Sequence, residues 1–275
     1  MSNEEKPEKK FSDLLELLRG AGSAVLAFSG GVDSSFLLKA LKTAGTRTLA
    51  VTAVSETLPA RDRERAVAFA ELLGMEQRII RTEALKNEAF ANNPPERCFY
   101  CKDELFGKLT AMALDGHYRF VFDGTNSDDL RDYRPGRKAA EHHGVRSPLA
   151  ECNFSKADIR AMSREIGLDT WDRPSSPCLS SRFPYGRRIN GPALRRVEKA
   201  EEFLEGLGLL ELRVRDDGST ARIEVREEDM HILLNEDNRH LIARELKSLG
   251  YKFVSLDLEG YMSGSLNRVL DGRGE

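Results

Sequence analysis

The chain has 275 residues, 40% of them hydrophobic and 32% charged, with a formal net charge of -3; that is apolar enough for one large or two modest packed domains and excludes wholesale disorder. No apolar run approaches the ~20 residues of a membrane-spanning helix, and residues 1–10 are charged and lack the apolar run of a signal peptide, so a cytoplasmic protein without membrane contact is expected. The slightly acidic balance leaves no global positive field for nucleic acid, and four cysteines, Cys98, Cys101, Cys152 and Cys178, are too few for a disulfide scaffold and read as buried, catalytic or metal-binding thiols.

In chain order, residues 1–10 are a polar leader expected to fray. Phe11, Leu14, Leu15, Leu17 and Leu18 mark the apolar face of a helix that Gly20 and Gly22 stop. The run AVLAF at 24–28 is wholly apolar, as expected of a strand buried on both faces. A Ser29-Gly30-Gly31 turn and a helix over 33–43 follow. The alternation then repeats: strand 48–54, helix 60–73, strand 77–81, helix 103–113, strand 119–123, and helix 157–166 opened by Ser155 as N-cap. This order predicts an α/β fold with a Rossmann-like parallel sheet and helices on both faces. Its ligands belong at the carboxyl ends of the strands, in loops 29–33, 54–59 and 123–136. Residues 169–191 combine prolines, glycines, serines and arginines without apolar periodicity, as in a functional loop or a linker. Beyond them, helix 192–207, strands 210–215 and 221–225 joined by Asp216-Asp217-Gly218, helices 230–235 and 241–249, and strand 252–256 predict a smaller α+β unit.

The heptapeptide Ser29-Gly30-Gly31-Val32-Asp33-Ser34-Ser35 lies between a strand and a helix. Glycines let the backbone approach a ligand, and the N–H groups that open the helix favour an anion. Neither the Walker A spacing nor G-x-G-x-x-G is present. SGGVDSS resembles the signature of the PP-loop ATP pyrophosphatases, the superfamily of NAD synthetase, GMP synthetase and several tRNA thiolases. The resemblance implies the adenine nucleotide alpha hydrolase-like fold and cleavage of ATP between its α and β phosphates. It also implies pyrophosphate held by Ser29, Gly31, Asp33 and Ser34, with Mg²⁺ nearby. Fixed N–H donors would stabilise the charge that develops on departing pyrophosphate.

A second polar loop, Asp123-Gly124-Thr125-Asn126-Ser127-Asp128-Asp129, follows the RFVFD strand. Its residue types suit an Asx-capped helix start, and equally a turn whose carboxylates hold Mg²⁺. DGTN resembles the equivalent strand end in NAD synthetase-like proteins, which makes Gly124 and Thr125 nucleotide contacts and Asp123 and Asp129 metal candidates.

Cys98-Phe99-Tyr100-Cys101 is a C-x-x-C just before a predicted helix. Such a pair serves redox chemistry, zinc or an iron–sulfur cluster, or is incidental, and no second pair completes a structural zinc site. Cys178 lies in PSSPCLSSR, outside any apolar run; the adjacent Arg182 would favour its thiolate. Cys152 has no partner by spacing and reads as a small core or surface residue. Arg213 and Arg215 share one face of a strand opposite Glu224, an arrangement that cross-strand surface salt bridges also explain. Arg182, Arg187 and Arg188 would extend an anion site there; Glu201 and Asp229 are weaker metal or substrate candidates.

Taken together, SGGVDSS, RCFYCK, DGTNSDDLRDYRPG, PSSPCLSSRFPYG and LRVRDDGSTARIEV resemble the LarE family, the ATP-dependent sulfur transferases of nickel-pincer nucleotide cofactor synthesis, along nearly the whole chain. The resemblance implies an AMP- and pyrophosphate-forming enzyme that adenylates a carboxylate of pyridinium-3,5-biscarboxylic acid mononucleotide and converts it to a thiocarboxylate. It makes Cys178 the sulfur-donor position, which in some members is consumed to dehydroalanine. In others three cysteines hold a [4Fe–4S] cluster, and Cys98, Cys101 and Cys178 fit that version. It assigns Arg213, Arg215 and Glu224 to the substrate side, and implies a homo-oligomer and contact with other enzymes of the pathway. The expected domains are a PP-loop domain over 1–174, a donor-cysteine loop over 175–191 and a substrate-binding α+β domain over 192–275. A tRNA thiolase, an NAD or GMP synthetase-like amide ligase and a non-enzymatic nucleotide-binding module are the alternatives. The first would need a broad basic surface, and the other two leave the cysteines without a role.

Overall fold

The computed structural model describes residues 6–130, 135–174, 176–262 and 264–270. Residues 1–5 of the polar leader, 131–134 of the DGTNSDDLRDYRPG motif and Ser175 of the PSSPCLSSR motif lie outside the described residues. The elements run α1 (Pro7–Ala21), β1 (Ser23–Ala27), α2 (Val32–Ala44), β2 (Arg47–Val54), α3 (Ala60–Leu72), β3 (Gln77–Arg81), α4 (Glu88–Ala91) and α5 (Arg97–Asp115). Next come β4 (Phe120–Phe122), α6 (Gly136–His142), α7 (Pro148–Glu151), α8 (Lys156–Glu165) and α9 (Gly191–Glu205). The chain closes with β5 (Leu212–Asp216), β6 (Thr220–Val225), α10 (Met230–Leu234), α11 (Glu236–Ser248) and β7 (Phe253–Leu256). Among the described residues, no helix is long and apolar enough to cross a membrane.

The chain divides into two compact units, Met1–Ala84 with Glu96–Ser176, and Leu85–Pro95 with Pro177–Glu275. In the first, four parallel strands take the order β3-β2-β1-β4. This is the α/β Rossmann-like sheet expected from the strand–helix alternation. Period-two alternation explains why residues 24–27 of β1 are all apolar. Ala24 and Leu26 join a cluster with Leu14, Leu18, Phe36, Leu37 and Ile159. Val25 joins the opposite cluster with Val51, Phe106, Leu109 and Ala139. Capping fixes the helix ends: Gly45, in the left-handed region, closes α2, and a Ser155–Asp158 capping box opens α8.

The second unit is a three-stranded sheet, β5-β6-β7, with β5 antiparallel and β7 parallel to β6. Leu212, Val214, Ile223 and Val225 pack with Ala200 and Leu204 of α9 and Ile242 and Leu246 of α11. Asn190 caps α9 by accepting from the Ala193 N–H at 2.9 Å. Segment Leu85–Pro95 belongs to this unit, although the sequence places it within 1–174. The 169–191 stretch, read as irregular, contains one ordered turn, Leu179–Arg182, whose Leu179 packs with Phe183, Ile189 and Val197.

Phe36 is the packing test of the first unit. It is fully buried, 5.7 Å from the Phe11 ring and 5.4 Å from that of Phe154. Phe36→Ala should lower the unfolding free energy by about 3–5 kcal/mol, read as a shift of the denaturant midpoint at unchanged slope.

Candidate active site

The glycine turn joins β1 to α2 in the first unit. Gly30 has φ +75°, and a Cβ there would lie 2.9 Å from the Cα of Ala66 in α3. Only glycine satisfies both conditions. Gly31 is the N-cap of α2 and supplies no side-chain cap, so the N–H groups of the first turn face outward. Ser34 Oγ donates to the Gly31 carbonyl at 3.2 Å and lies 3.1 Å from Ser29 Oγ. The Asp33 carboxylate accepts from Lys156 Nζ at 2.7 Å through Oδ2, while its Oδ1 is buried without a hydrogen-bond partner.

The second polar loop closes against this turn. A Cβ on Gly124 would lie 3.1 Å from the Ser34 nitrogen, so the two loops touch through backbone. Asp123 is buried, and its carboxylate accepts from the Thr125 N–H at 3.1 Å, Thr125 Oγ1 at 2.7 Å and Ser147 Oγ at 2.7 Å. Those bonds fold the loop around the Asp123 carboxylate. Asn126 Oδ1 accepts from the N–H groups of Asp128 and Asp129 at 3.0 and 3.1 Å, the Asx-type cap that the residue types suggest.

Between the loops is a cavity of about 280 Å³. Ser29, Gly31, Asp33, Ser34, Asp123, Gly124, Thr125 and Asp129 line it. Phe28, Val51, Ala53 and Leu58 form an apolar wall, and Lys102 also reaches it. An apolar wall opposite a helix N-terminus, a lysine, and carboxylates that include an orphaned oxygen suit a nucleotide with Mg²⁺. Sequence reasoning missed Lys102 and Lys156. Lys102 follows the C-x-x-C directly, but nothing in the spacing reports its direction. Lys156 meets Asp33 from 123 positions away.

Cys98 and Cys101 lie in the first two turns of α5, which begins at Arg97 rather than at the expected 103. Cys98 is exposed and Cys101 half-buried. Three positions apart on a helix, they share one face. Cys152 is half-buried against the Leu14–Phe36 cluster.

In the second unit, half-buried Cys178 precedes the Leu179–Arg182 turn. Arg182 is fully buried and makes a two-pronged bond to Glu201, at 2.9 and 2.8 Å. Its Nη1 donates to the carbonyls of Pro177 at 2.6 Å and Cys178 at 3.1 Å. These bonds commit Arg182 to Glu201 and to the turn, while its charge still acts on the neighbouring Cys178 thiol. Its charge is balanced by Glu201, and it holds the Cys178 backbone. Glu201 also accepts from the Val214 N–H at 3.0 Å, so it serves the turn rather than a metal.

Arg213 and Arg215 are buried, not surface residues. Register sets Arg213 opposite Glu224, yet Arg215 takes the two-pronged bond to Glu224, at 2.9 and 2.7 Å. Arg215 also donates to the Ser181 carbonyl at 2.7 Å, tying β5 to the cysteine turn. Arg213 donates to the Leu212 carbonyl at 2.6 Å and lies 4.9 Å over the Tyr261 ring. Burial, then the neighbouring Arg182, pushes its pKa down. Asp229 pairs with Arg226 at 2.9 Å, which disfavours its reading as a metal ligand. Arg187 pairs with Asp216 at 2.9 Å and Arg188 with Glu88 on the surface, so neither extends an anion site.

No family model matches the chain. It is 42% identical over 264 residues to an uncharacterized protein of Synechocystis sp., covering 96% of this chain and 98% of that one. It is 36% identical over 263 residues to pyridinium-3,5-bisthiocarboxylic acid mononucleotide synthase of Lactiplantibacillus plantarum, covering 95% of each. The chain belongs to the LarE family. A glutamine-hydrolyzing GMP synthase of Thermus thermophilus is 29% identical over 220 residues, 72% of this chain and 42% of that protein. The LarE-family chain is thus an enzyme of the PP-loop class.

The Arg182–Glu201 pair gives the sharpest stability test in this LarE-family chain. Glu201→Gln strands a buried guanidinium and should cost about 3–5 kcal/mol. Arg182→Met combined with Glu201→Met should recover most of that loss in chemical denaturation.

Proposed function

We propose that the protein uses ATP to activate a carboxylate of a pyridinium dicarboxylate mononucleotide and converts it to a thiocarboxylate. The observation that carries this reading is the cavity that brings the α2 N-terminus, the Gly124 loop, Asp33, Asp129 and Lys102 together. The substrate carboxylate attacks the α-phosphorus of ATP. The bond to the β-phosphate oxygen breaks, and pyrophosphate leaves toward the N–H groups of α2 and Lys102. Asp33 and Asp129 would hold Mg²⁺. Arg213 would take the phosphate of the mononucleotide, since an anion beside it offsets both burial and the Arg182 charge. Arg215 keeps the cysteine turn against β5.

The acyl-adenylate then meets sulfur, and AMP departs. Two donors fit the cysteines. In one, the Cys178 thiolate forms a thioester. A base then removes the Cys178 α-proton, the Cβ–S bond breaks, and the chain keeps dehydroalanine. In the other, Cys98, Cys101 and Cys178 would hold a [4Fe–4S] cluster, which would supply an exchangeable sulfide as the donor. Cys98 and Cys101 share one helix face and so could both ligate such a cluster, which would give the C-x-x-C a role.

Pyrophosphate should form only when ATP and the mononucleotide are both present; equal release without the mononucleotide would contradict the reading. The intact mass of the chain separates the donors. The cluster route leaves it unchanged after product forms. A loss of about 34 Da, one H₂S, marks the sacrificial route and overturns the cluster.

A further inference from the structure

Outside the nucleotide cavity, Asp103, His142 and His143 converge in the first unit. Asp103 is on α5; His142 ends α6 and His143 is its C-cap. Asp103 Oδ1 lies 3.1 Å from His142 Nδ1 and 2.9 Å from His143 Nε2, and the three atoms lie within 4.8 Å of one another. One ring presents Nδ1 and the other Nε2, which is how consecutive residues reach one point.

The backbone is prepared for this convergence. Ala139 and Ala140 of α6 pack with Phe106 and Leu109 of α5, so apolar burial fixes the two helices together. Gly107 lies one turn beyond Asp103, and a Cβ there would be 3.4 Å from His143 Cε1. The His143 ring therefore fills a gap that a side chain on α5 would narrow. Stability does not account for the cluster: the His142 and Asp103 side chains are 68% and 39% exposed, and exposed pairs contribute little.

We propose that Asp103, His142 and His143 bind one divalent transition cation of the zinc, cobalt and nickel class, with water at the remaining position. Two imidazoles and one carboxylate are the ligand types such ions prefer, whereas magnesium and calcium favour all-oxygen sets. At bonds of about 2.0–2.2 Å, a tetrahedral ion separates its ligand atoms by about 3.4 Å. The two nitrogen–oxygen distances, 3.1 and 2.9 Å, are already close to that spacing. Bound metal would clamp the end of α6 to α5, the helix that carries Cys98, Cys101 and Lys102.

Cobalt(II) added to metal-free protein with alkylated cysteines tests this without interference from thiolates. The expected result is one equivalent of visible d–d absorbance without a sulfur charge-transfer band, displaced stoichiometrically by zinc. A variant with Cys98, Cys101, Cys152 and Cys178 all changed to serine provides the same readout if alkylation unfolds the chain. His142→Ala, His143→Ala and Asp103→Asn should each weaken binding at least tenfold, with circular dichroism showing that the fold is kept. Absence of the visible band, or a band unchanged in the His142→Ala/His143→Ala double variant, would overturn the proposal and leave only a hydrogen-bonded triad.

Discussion

The first turn of α2 leaves backbone N–H groups without intrahelical acceptors, and much of the first unit is arranged to keep them open toward one cavity. Gly30 must be glycine because α3 leaves no room beside it and its φ is positive. Gly124 must be small because its loop meets Ser34 through backbone. The strand that presents the turn is buried on both faces, by Leu26 on one and Val25 on the other, so the turn rests on a fixed base. An anion site of this kind costs no reorganisation when charge develops on a leaving pyrophosphate, which is what the proposed chemistry asks of it.

The second unit uses buried charge instead. Arg182, Glu201, Arg215 and Glu224 form ion pairs with almost no solvent contact. Such pairs contribute little net stability compared with apolar packing, but losing one partner is expensive. Their geometric effect is clearer. Arg182 binds the carbonyls on either side of the Pro177–Cys178 peptide bond, and Arg215 binds the Ser181 carbonyl. The turn carrying Cys178 is thereby held by guanidinium groups whose own charges are already balanced.

The sheet was legible in the sequence because burial on both faces leaves an unbroken apolar run such as 24–28, and because glycine-rich turns interrupt the helical periodicity. The glycine turn and the Gly124 loop were legible as motifs. What was hidden depends on long-range approach. Period-two spacing correctly put Arg213 and Arg215 on one face of β5, but it could not reveal that this face is buried or that Arg215 rather than Arg213 takes Glu224. Asp123 has the residue type of a metal ligand, and only its contacts with Thr125 and Ser147 show that it folds its own loop. Lys102 and Lys156 carry no local signal. The start of α5 was placed late because the C-x-x-C and its aromatic neighbours mask the helical pattern before 103.

The central claim is that the cavity at the α2 N-terminus activates a carboxylate by adenylation. The most direct measurement uses pyridinium-3,5-biscarboxylic acid mononucleotide labelled with oxygen-18 in its carboxylates, with mass analysis of the AMP released. Adenylation predicts one labelled oxygen in the phosphate of each AMP, because the oxygen that attacks phosphorus stays with it when sulfur displaces AMP. Unlabelled AMP alongside thiocarboxylate product would contradict the account.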